Sequence, residues 1–541
     1  VTGILHIFFL ILTLLLSVTC SSPPSTESES LQSIFSDRPP DSVAGDGSLI
    51  FQQAQTFDKL LRGKLTKEEE LHFKKECAQS PKKNPFCQGF VKRRNFIRVA
   101  QEKTKQHKPS TSKEVAPLVA HFKEGKLINI TELRKGTIES LLKGFSSAPE
   151  AELTNIANIL LKGNKCPNRA AVALAASLED YLPQSKQQEL VAELYSLGAR
   201  CSRGQAVDRE HYLTRAGLFF IWNQNYKRAI DTLKKVTPTD AFSGRALYWL
   251  AVAQKELGEG VAAESTLNRL INRHPLSFHS LLASHGSKTT YLTEWLSDRK
   301  IEKTRTSRAL KANGFIEQAE ILKKYGFDFS AAVITDWLFR TYHHLEGEVR
   351  LHLASLADPP TAVIQIPGVL LGNPQLASRN VLELMFPKPF YEVFVRNSRG
   401  LDPYLLLSIA RKESRFNTQA VSSANAQGLM QINPATAKRM TGNESDNLFN
   451  PSTSIDLAAR HLSEDLSRFD GHLPHAIAAY NAGEEAVSNW IRRYTVNNPI
   501  LFIDLIPYRE TRDYTGFVLS YYYWYRKIYS NHPEEALPIQ S

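Results

Sequence analysis

Residues 405–416 read Leu405-Leu-Leu-Ser-Ile-Ala-Arg-Lys-Glu413-Ser-Arg-Phe416. Leu406, Ile409, Ala410 and Glu413 fall at i, i+3, i+4 and i+7, the spacing of one helix face. The segment therefore reads as a helix with a carboxylate on its apolar stripe. Burial among apolar groups disfavours the charged form and raises a carboxyl pKa. A glutamate still protonated near neutral pH is what a general acid needs. A glutamate near the end of an amphipathic helix also serves as a boundary residue with its head in water, so the helix alone does not decide. Residues 414–443 contain no Asp or Glu, so a catalytic Glu413 would have no carboxylate partner in the loop after it.

Working outward, Asp402-Pro403 supplies an N-cap acid and a proline at the first helical position. After Glu413 come small and polar residues up to Gly428-Leu-Met430-Gln431-Ile-Asn433-Pro434. Gly428 suits a loop that brings backbone close to a ligand, and Pro434 opens another helix. Leu448-Phe-Asn450-Pro451 is a turn signal ahead of a helix over residues 454–468. Pro474 opens a helix that ends at Asn481-Ala-Gly483, with glycine as terminator. Ile506-Pro-Tyr-Arg-Glu510-Thr-Arg-Asp-Tyr514 leads into an aromatic helix over residues 517–529. Tyr521, Tyr522, Tyr523, Trp524 and Tyr525 cannot all face one side of a helix, so most belong to the core. His461, His472 and His475 form no metal-ligand set with nearby acids, and neither a metal nor a cofactor is expected.

Four blocks stand in this order: Ala410-Arg-Lys-Glu413-Ser-Arg-Phe, Gly428-Leu-Met-Gln431, Ala479-Tyr480-Asn-Ala-Gly483, and Ile506 to Tyr514. Together they closely resemble the catalytic domain of lytic transglycosylases, the soluble type in glycoside hydrolase family 23. The resemblance is strong over residues 401–529 and weaker over 215–314. It implies a lysozyme-like α-helical domain that cuts peptidoglycan between N-acetylmuramic acid and N-acetylglucosamine and leaves a 1,6-anhydromuramic end. Carried over, Glu413 is the acid/base. Ser422, Gln431 and Tyr480 contact the substrate N-acetyl group or the glutamate, and Glu510 is a second carboxyl lining the site. Met430 and Asn433 are further substrate-contact candidates, although Asn433 stands where a Met often follows the Gln. Tyr480 as a buried tyrosine also fits a core position, and Glu510 also fits a structural partner of Arg512 or another arginine.

The residues give the same chemistry an independent rationale. Hydrolysing glycosidases use two carboxyl groups, about 5 Å apart for retention or about 6.5–9.5 Å for inversion. A lone glutamate suffices if the N-acetyl carbonyl stabilises the cation and the sugar's own 6-hydroxyl replaces water, an internal nucleophile favoured by effective molarity. Two rivals stay open. A lysozyme-type hydrolase would need a second acid from Asp402, Glu444, Asp446, Asp456 or Glu510. A helical wall-binding scaffold with a decayed site would need none.

The rest of the chain reads as all-α. Arg215-Ala-Gly-Leu-Phe-Phe is echoed by Arg245-Ala-Leu-Tyr-Trp-Leu, and Asn225-Tyr-Lys-Arg-Ala229 by Glu259-Gly-Val-Ala-Ala. Such a period resembles tetratricopeptide-type helix pairs, which must stack to bury their apolar faces. Ser307-Arg-Ala-Leu-Lys-Ala-Asn-Gly314 has helix-turn-helix character, and Pro359, Pro360, Pro367 and Pro374 mark loops. The expected organisation is a signal (1–20), a disordered Ser/Pro/acid-rich tether (21–50), a helical superhelix (51–290), a helical linker domain (291–390) and the catalytic domain (391–541).

Residues 4–18 are apolar almost throughout, with the length of an export signal rather than a membrane span. Cys20 behind them resembles the acylation site of a bacterial lipoprotein, implying a periplasmic chain anchored to the outer membrane by lipid. Four cysteines remain, Cys77, Cys87, Cys166 and Cys201. An even count in an exported chain suggests disulfides, most simply Cys77–Cys87 and Cys166–Cys201, with two other connectivities open. The net charge of +11 suits acidic peptide stems or a solvated basic surface. No nucleic-acid module and no phosphate-cradling loop are present. The expected partners are glycan strands and other cell-wall enzymes docking on the superhelix.

Overall fold

The computed structural model describes residues 49–79, 85–87, 138–285, 294–298, 314–442 and 447–530, apart from 147, 164–165, 167, 183–186, 203–205, 238–243 and 343–344. The signal, Cys20, residues 21–48 of the expected tether and residues 307–313 lie outside these, while residues 49 and 50, expected in the tether, open a helix. Among the described residues the regular elements are all helices. The extended pairings are isolated bridges, Val421 with Gln427 and Gln427 with Ile432.

The echoed segments form helix pairs. Ala206–Trp222 is followed by Tyr226–Leu233, and Arg245–Glu256 by Gly260–Arg273. The small residue in the first echo has a packing role: a Cβ on Gly217 would lie 2.5 Å from the Leu233 side chain. Asn225 caps the second helix by accepting from the Arg228 N–H. Disulfides join Cys77 to Cys87 and Cys166 to Cys201.

Two large apolar cores run through the chain, and neither stops at residue 290 or 390. One combines helices of residues 141–253 with Trp490, Tyr494, Phe502 and their neighbours. The other joins the Leu49–Leu61 helix, residues 315–386 and most of the C-terminal part. Buried polar groups cross the same divide. Asp504 accepts from Trp249 Nε1 at 2.6 Å, pairs with His279 at 2.7 Å and is bound by Arg245. Glu179 accepts from Tyr195 at 2.6 Å and is bound by Arg215 and Tyr494.

Four local expectations are corrected. Pro359 and Pro360 do not mark a loop but open the Pro359–Gly372 helix, where Asp358 accepts from the Thr361 N–H and the fixed proline φ suits the first turn. Pro367 lies inside that helix. Helix Pro451–Arg468 starts three residues early because Asn450 caps it and Pro451 fits its first position. Helix Arg509–Tyr529 absorbs the Arg509–Tyr514 block into its first turns. Within it Tyr522, Tyr523, Trp524 and Tyr525 are buried, and Tyr521 is half-buried.

Candidate active site

Glu413 is the last residue of helix Pro403–Glu413. Asp402 caps that helix through the Tyr404 N–H at 2.9 Å and accepts from the Tyr522 hydroxyl at 2.8 Å. Leu406, Ile409 and Ala410 are fully buried, which sends Glu413 to the inner face. The chain leaves the helix sharply, because Arg415 and Phe416 both adopt positive φ.

The following loop is held closed by its own backbone and clamped from three helices. The Ser422 N–H donates to Ala426 O at 2.8 Å, and Ser422 Oγ accepts from the Ala426 N–H at 3.0 Å. Gln431, itself at positive φ, donates from Nε2 to Ala420 O and Gly428 O at 3.0 and 2.9 Å. Ser414 Oγ donates to Leu429 O at 2.7 Å, Ser454 Oγ accepts from the Met430 N–H at 3.1 Å, and the Tyr480 hydroxyl donates to Met430 O at 2.8 Å. Gly428 has φ +75, and a Cβ there would lie 1.9 Å from Leu448 O. Its bare α-carbon thus serves a close approach of backbone to backbone, not to a ligand.

Glu413 keeps partial solvent access, yet it is crowded enough that desolvation dominates its titration. Burial raises its pKa to about 7; Tyr514 and Lys412 work against the shift and Glu510 adds to it. The Tyr514 hydroxyl is buried and, with Lys412, opposes the rise in the Glu413 pKa. Burial, and then the Glu413 charge, raise the phenol pKa of both Tyr480 and Tyr514 well above the usual value. Both phenols are therefore close enough to the carboxyl for its charge to act on them.

The remaining candidates divide. Ser422 and Gln431 line the loop, with their side chains engaged in its internal bonds. Tyr480 stands beside Glu413, but its hydroxyl is spent on Met430 O. Glu510 is exposed on the first turn of its helix and close enough to act on Glu413. It forms no ion pair with Arg512, whose guanidinium donates to Ile506 O at 2.7 Å and meets His211 Nδ1 at 3.4 Å. The Met430 side chain is fully buried, and its backbone donates to Ser454 Oγ and accepts from the Tyr480 hydroxyl. Asn433 caps helix Pro434–Thr441 through the Ala435 N–H and donates to Ala424 O. Of the acids a hydrolase could recruit, Asp456 is held by both arms of Arg399 at 2.7 and 2.8 Å and Asp402 is the cap described above. Glu444 and Asp446 lie outside the described residues. Tyr514 was not singled out from the sequence; its position one helical turn after Glu510 was the available signal.

Comparison with known proteins adds three findings. Residues 394–502 match the family described as Transglycosylase SLT domain, and residues 245–277 match a tetratricopeptide repeat. The soluble lytic murein transglycosylase of Salmonella typhimurium is 34% identical over 170 residues, covering 30% of this chain and 26% of that protein. Its counterpart in Escherichia coli K12 is 32% identical over 162 residues, covering 28% and 25%. These matches span about a quarter of the length of those relatives. The X-ray structure of an inactive mutant of the lytic transglycosylase of Pseudomonas aeruginosa superposes with a TM-score of 0.54 at 18% identity, covering 91% of this chain and 81% of that one. At that identity the likeness is one of fold: a helical array leading into a lysozyme-like domain.

Proposed function

We propose that this chain, whose C-terminal part belongs to the transglycosylase SLT domain family, is a lytic transglycosylase that cleaves the N-acetylmuramic acid to N-acetylglucosamine bond of peptidoglycan. The observation that carries the reading is Glu413 with its pKa raised to about 7 at the end of an apolar helix face. It protonates the leaving glycosidic oxygen. As a carboxylate it then removes the proton of the sugar 6-hydroxyl, which attacks the anomeric carbon and closes the 1,6-anhydro ring. The substrate N-acetyl carbonyl supports the cation between these steps. Tyr514 lies within reach of the carboxyl's charge, Tyr480 fixes the loop through Met430 O, and the loop carrying Ser422 and Gln431 forms a wall of the sugar site.

The location follows from the substrate. A cell-wall polymer places the chain in the periplasm, and two disulfides fit an oxidising compartment. Anchoring through Cys20 belongs to the same reading. The helical array guides the glycan strand or docks other wall enzymes.

Mass spectrometry of muropeptides released from purified peptidoglycan tests the proposal. Products one water lighter than reducing-end sugars are expected. Reducing ends would overturn the intramolecular step and assign Glu510, the acid that acts on Glu413, to a hydrolytic role. Binding without release would leave a wall-binding scaffold.

A further inference from the structure

We propose that His461 and Asp465 are positioning residues that act through Tyr480, steadying the ring whose hydroxyl clamps the loop after Glu413. The inference rests on the reading of Glu413 given above for its bearing on the reaction. Both residues lie on helix Pro451–Arg468 at i and i+4, so they share one face. The His461 ring lies against the Tyr480 ring, with centroids 5.2 Å apart and planes inclined by 37°. The Tyr480 hydroxyl in turn donates to Met430 O at 2.8 Å. A chain of contacts thus runs from Asp465 through His461 and Tyr480 to the loop.

The pair is not there for packing alone. Asp465 is 3% exposed, and its Oδ2 accepts no hydrogen bond. His461 Nε2 stands 3.7 Å from that oxygen, within ion-pair range but beyond a hydrogen bond. His461 Nδ1 is also buried without a hydrogen-bond partner. Buried polar groups are bonded in the great majority of cases, and apolar side chains would fill the same space without this penalty. The neighbouring cations are committed to other acids. Arg439 and Arg460 pair with Glu464 at 3.8 and 3.1 Å, and Arg468 pairs with Glu484 at 2.6 Å. His461 is thus the basic group facing the Asp465 carboxyl at ion-pair distance.

The charges around the pair make its grip depend on pH. Burial, and then Glu484, raise the Asp465 pKa to about 7; Glu464 adds to the shift, and Arg468 and Arg439 oppose it. Burial, and then Arg439, push the His461 pKa down against Glu464 and Glu484. The Asp465 charge reaches the Tyr480 phenol, as the Glu413 charge does. An opening of the loop that draws Tyr480 off His461 lets water reach Asp465, whose pKa then falls toward the ordinary value of about 3.9. Between about pH 3.9 and 7 the closed form keeps a proton that the open form releases. Closure therefore weakens progressively as pH rises across that window and levels off above it.

The test is amide exchange, read by mass spectrometry over residues 420–433, in the full chain carrying Glu413→Gln. That substitution removes the other carboxyl that titrates near pH 7 beside the loop. The Gln427, Gly428 and Ile432 amides are bonded within the loop, so their protection reports its closure. Protection, corrected for the intrinsic exchange rate, should fall by about tenfold or more between about pH 5 and 7 and then level off. Adding Asp465→Asn, which keeps the uncharged shape, should flatten the profile. Adding His461→Ala should lower protection at every pH. A profile unchanged by Asp465→Asn, or full protection in His461→Ala, would overturn the proposal; Asp465→Asn decides even if His461→Ala does not fold. With Glu413 intact, His461→Ala should lower kcat for muropeptide release with KM little changed, and release at the parent rate would also overturn it. Loop protection is readable in an inactive chain, so the proposed function and this inference can each fail alone.

Discussion

The Tyr480 hydroxyl donates to the Met430 carbonyl at 2.8 Å, tying helix Leu473–Ala482 to the loop that follows Glu413. Fifty residues of chain separate the two partners, so this bond fixes where the loop sits relative to the carboxyl. Tyr480→Phe keeps the ring and leaves the Met430 carbonyl without its partner, a loss of about 1–3 kcal/mol. We expect a lower unfolding midpoint and a fall in muropeptide release larger than the loss of folded protein explains. Unchanged release per folded molecule would confine Tyr480 to packing.

Glu413→Gln preserves shape and removes the proton donor. Turnover should fall by about 10²–10⁴-fold or more, with the helical circular dichroism spectrum intact. Near-normal release of muropeptides by this variant would remove Glu413 from the mechanism.

The same residue predicts the pH dependence. Its folded pKa of about 7 lies above the value of about 4.3 for an unfolded glutamate. Activity needs the protonated form and should decline as pH rises through about 7. Stability has the matching sign. Between about pH 4.3 and 7 the unfolded chain releases this proton while the folded chain keeps it, so Glu413 lowers stability progressively across that window. Glu413→Gln should flatten this part of the stability profile. A profile identical to that of the unsubstituted chain would contradict a carboxyl buried as described.

Gly428→Ala tests the loop closure. The added methyl would meet Leu448 O at 1.9 Å on a backbone at φ +75. Positive-φ strain and overpacking each cost about 1–3 kcal/mol, so a total loss of about 2–6 kcal/mol is expected in chemical denaturation. A change below about 0.5 kcal/mol would show that the loop relaxes freely.

These features differ in how far the sequence reveals them, and the difference is one of range. Asp402 as a cap, Gly483 as a helix stop and Glu413 on an apolar stripe depend on neighbours within one or two helical turns, so spacing alone exposes them. The prolines at 359 and 360 misled because proline both breaks and begins helices, and the deciding signal was the cap at Asp358. Met430 reads as a substrate-contact candidate because it sits in the Gly428-Leu-Met-Gln431 block, while its side chain is buried. The pairing of Glu510 with Arg512 failed because Arg512, two residues on, points to the opposite side of the helix toward His211. The ion clusters at Asp504 and Glu179 join residues tens to hundreds of positions apart, and no local pattern announces them.

Asp504 gives the last prediction. It is fully buried, and burial alone would raise its pKa. His279 and Arg245, with hydrogen bonds from His279 and Trp249, overcome burial and hold the carboxyl well below the usual range. A carboxyl depressed in the folded state adds stability above its unfolded pKa of about 3.9, and that stability is lost as pH falls through the lower folded value. Asp504→Asn should therefore destabilise the protein at neutral pH by about 3–5 kcal/mol, since Arg245 loses a buried partner. The deficit relative to the unsubstituted chain should shrink below about pH 4. Because Asp504 binds residues of the array, the array helices should lose amide-exchange protection together with helix Arg509–Tyr529. Independent loss in the two parts would mean that the joint does not couple them.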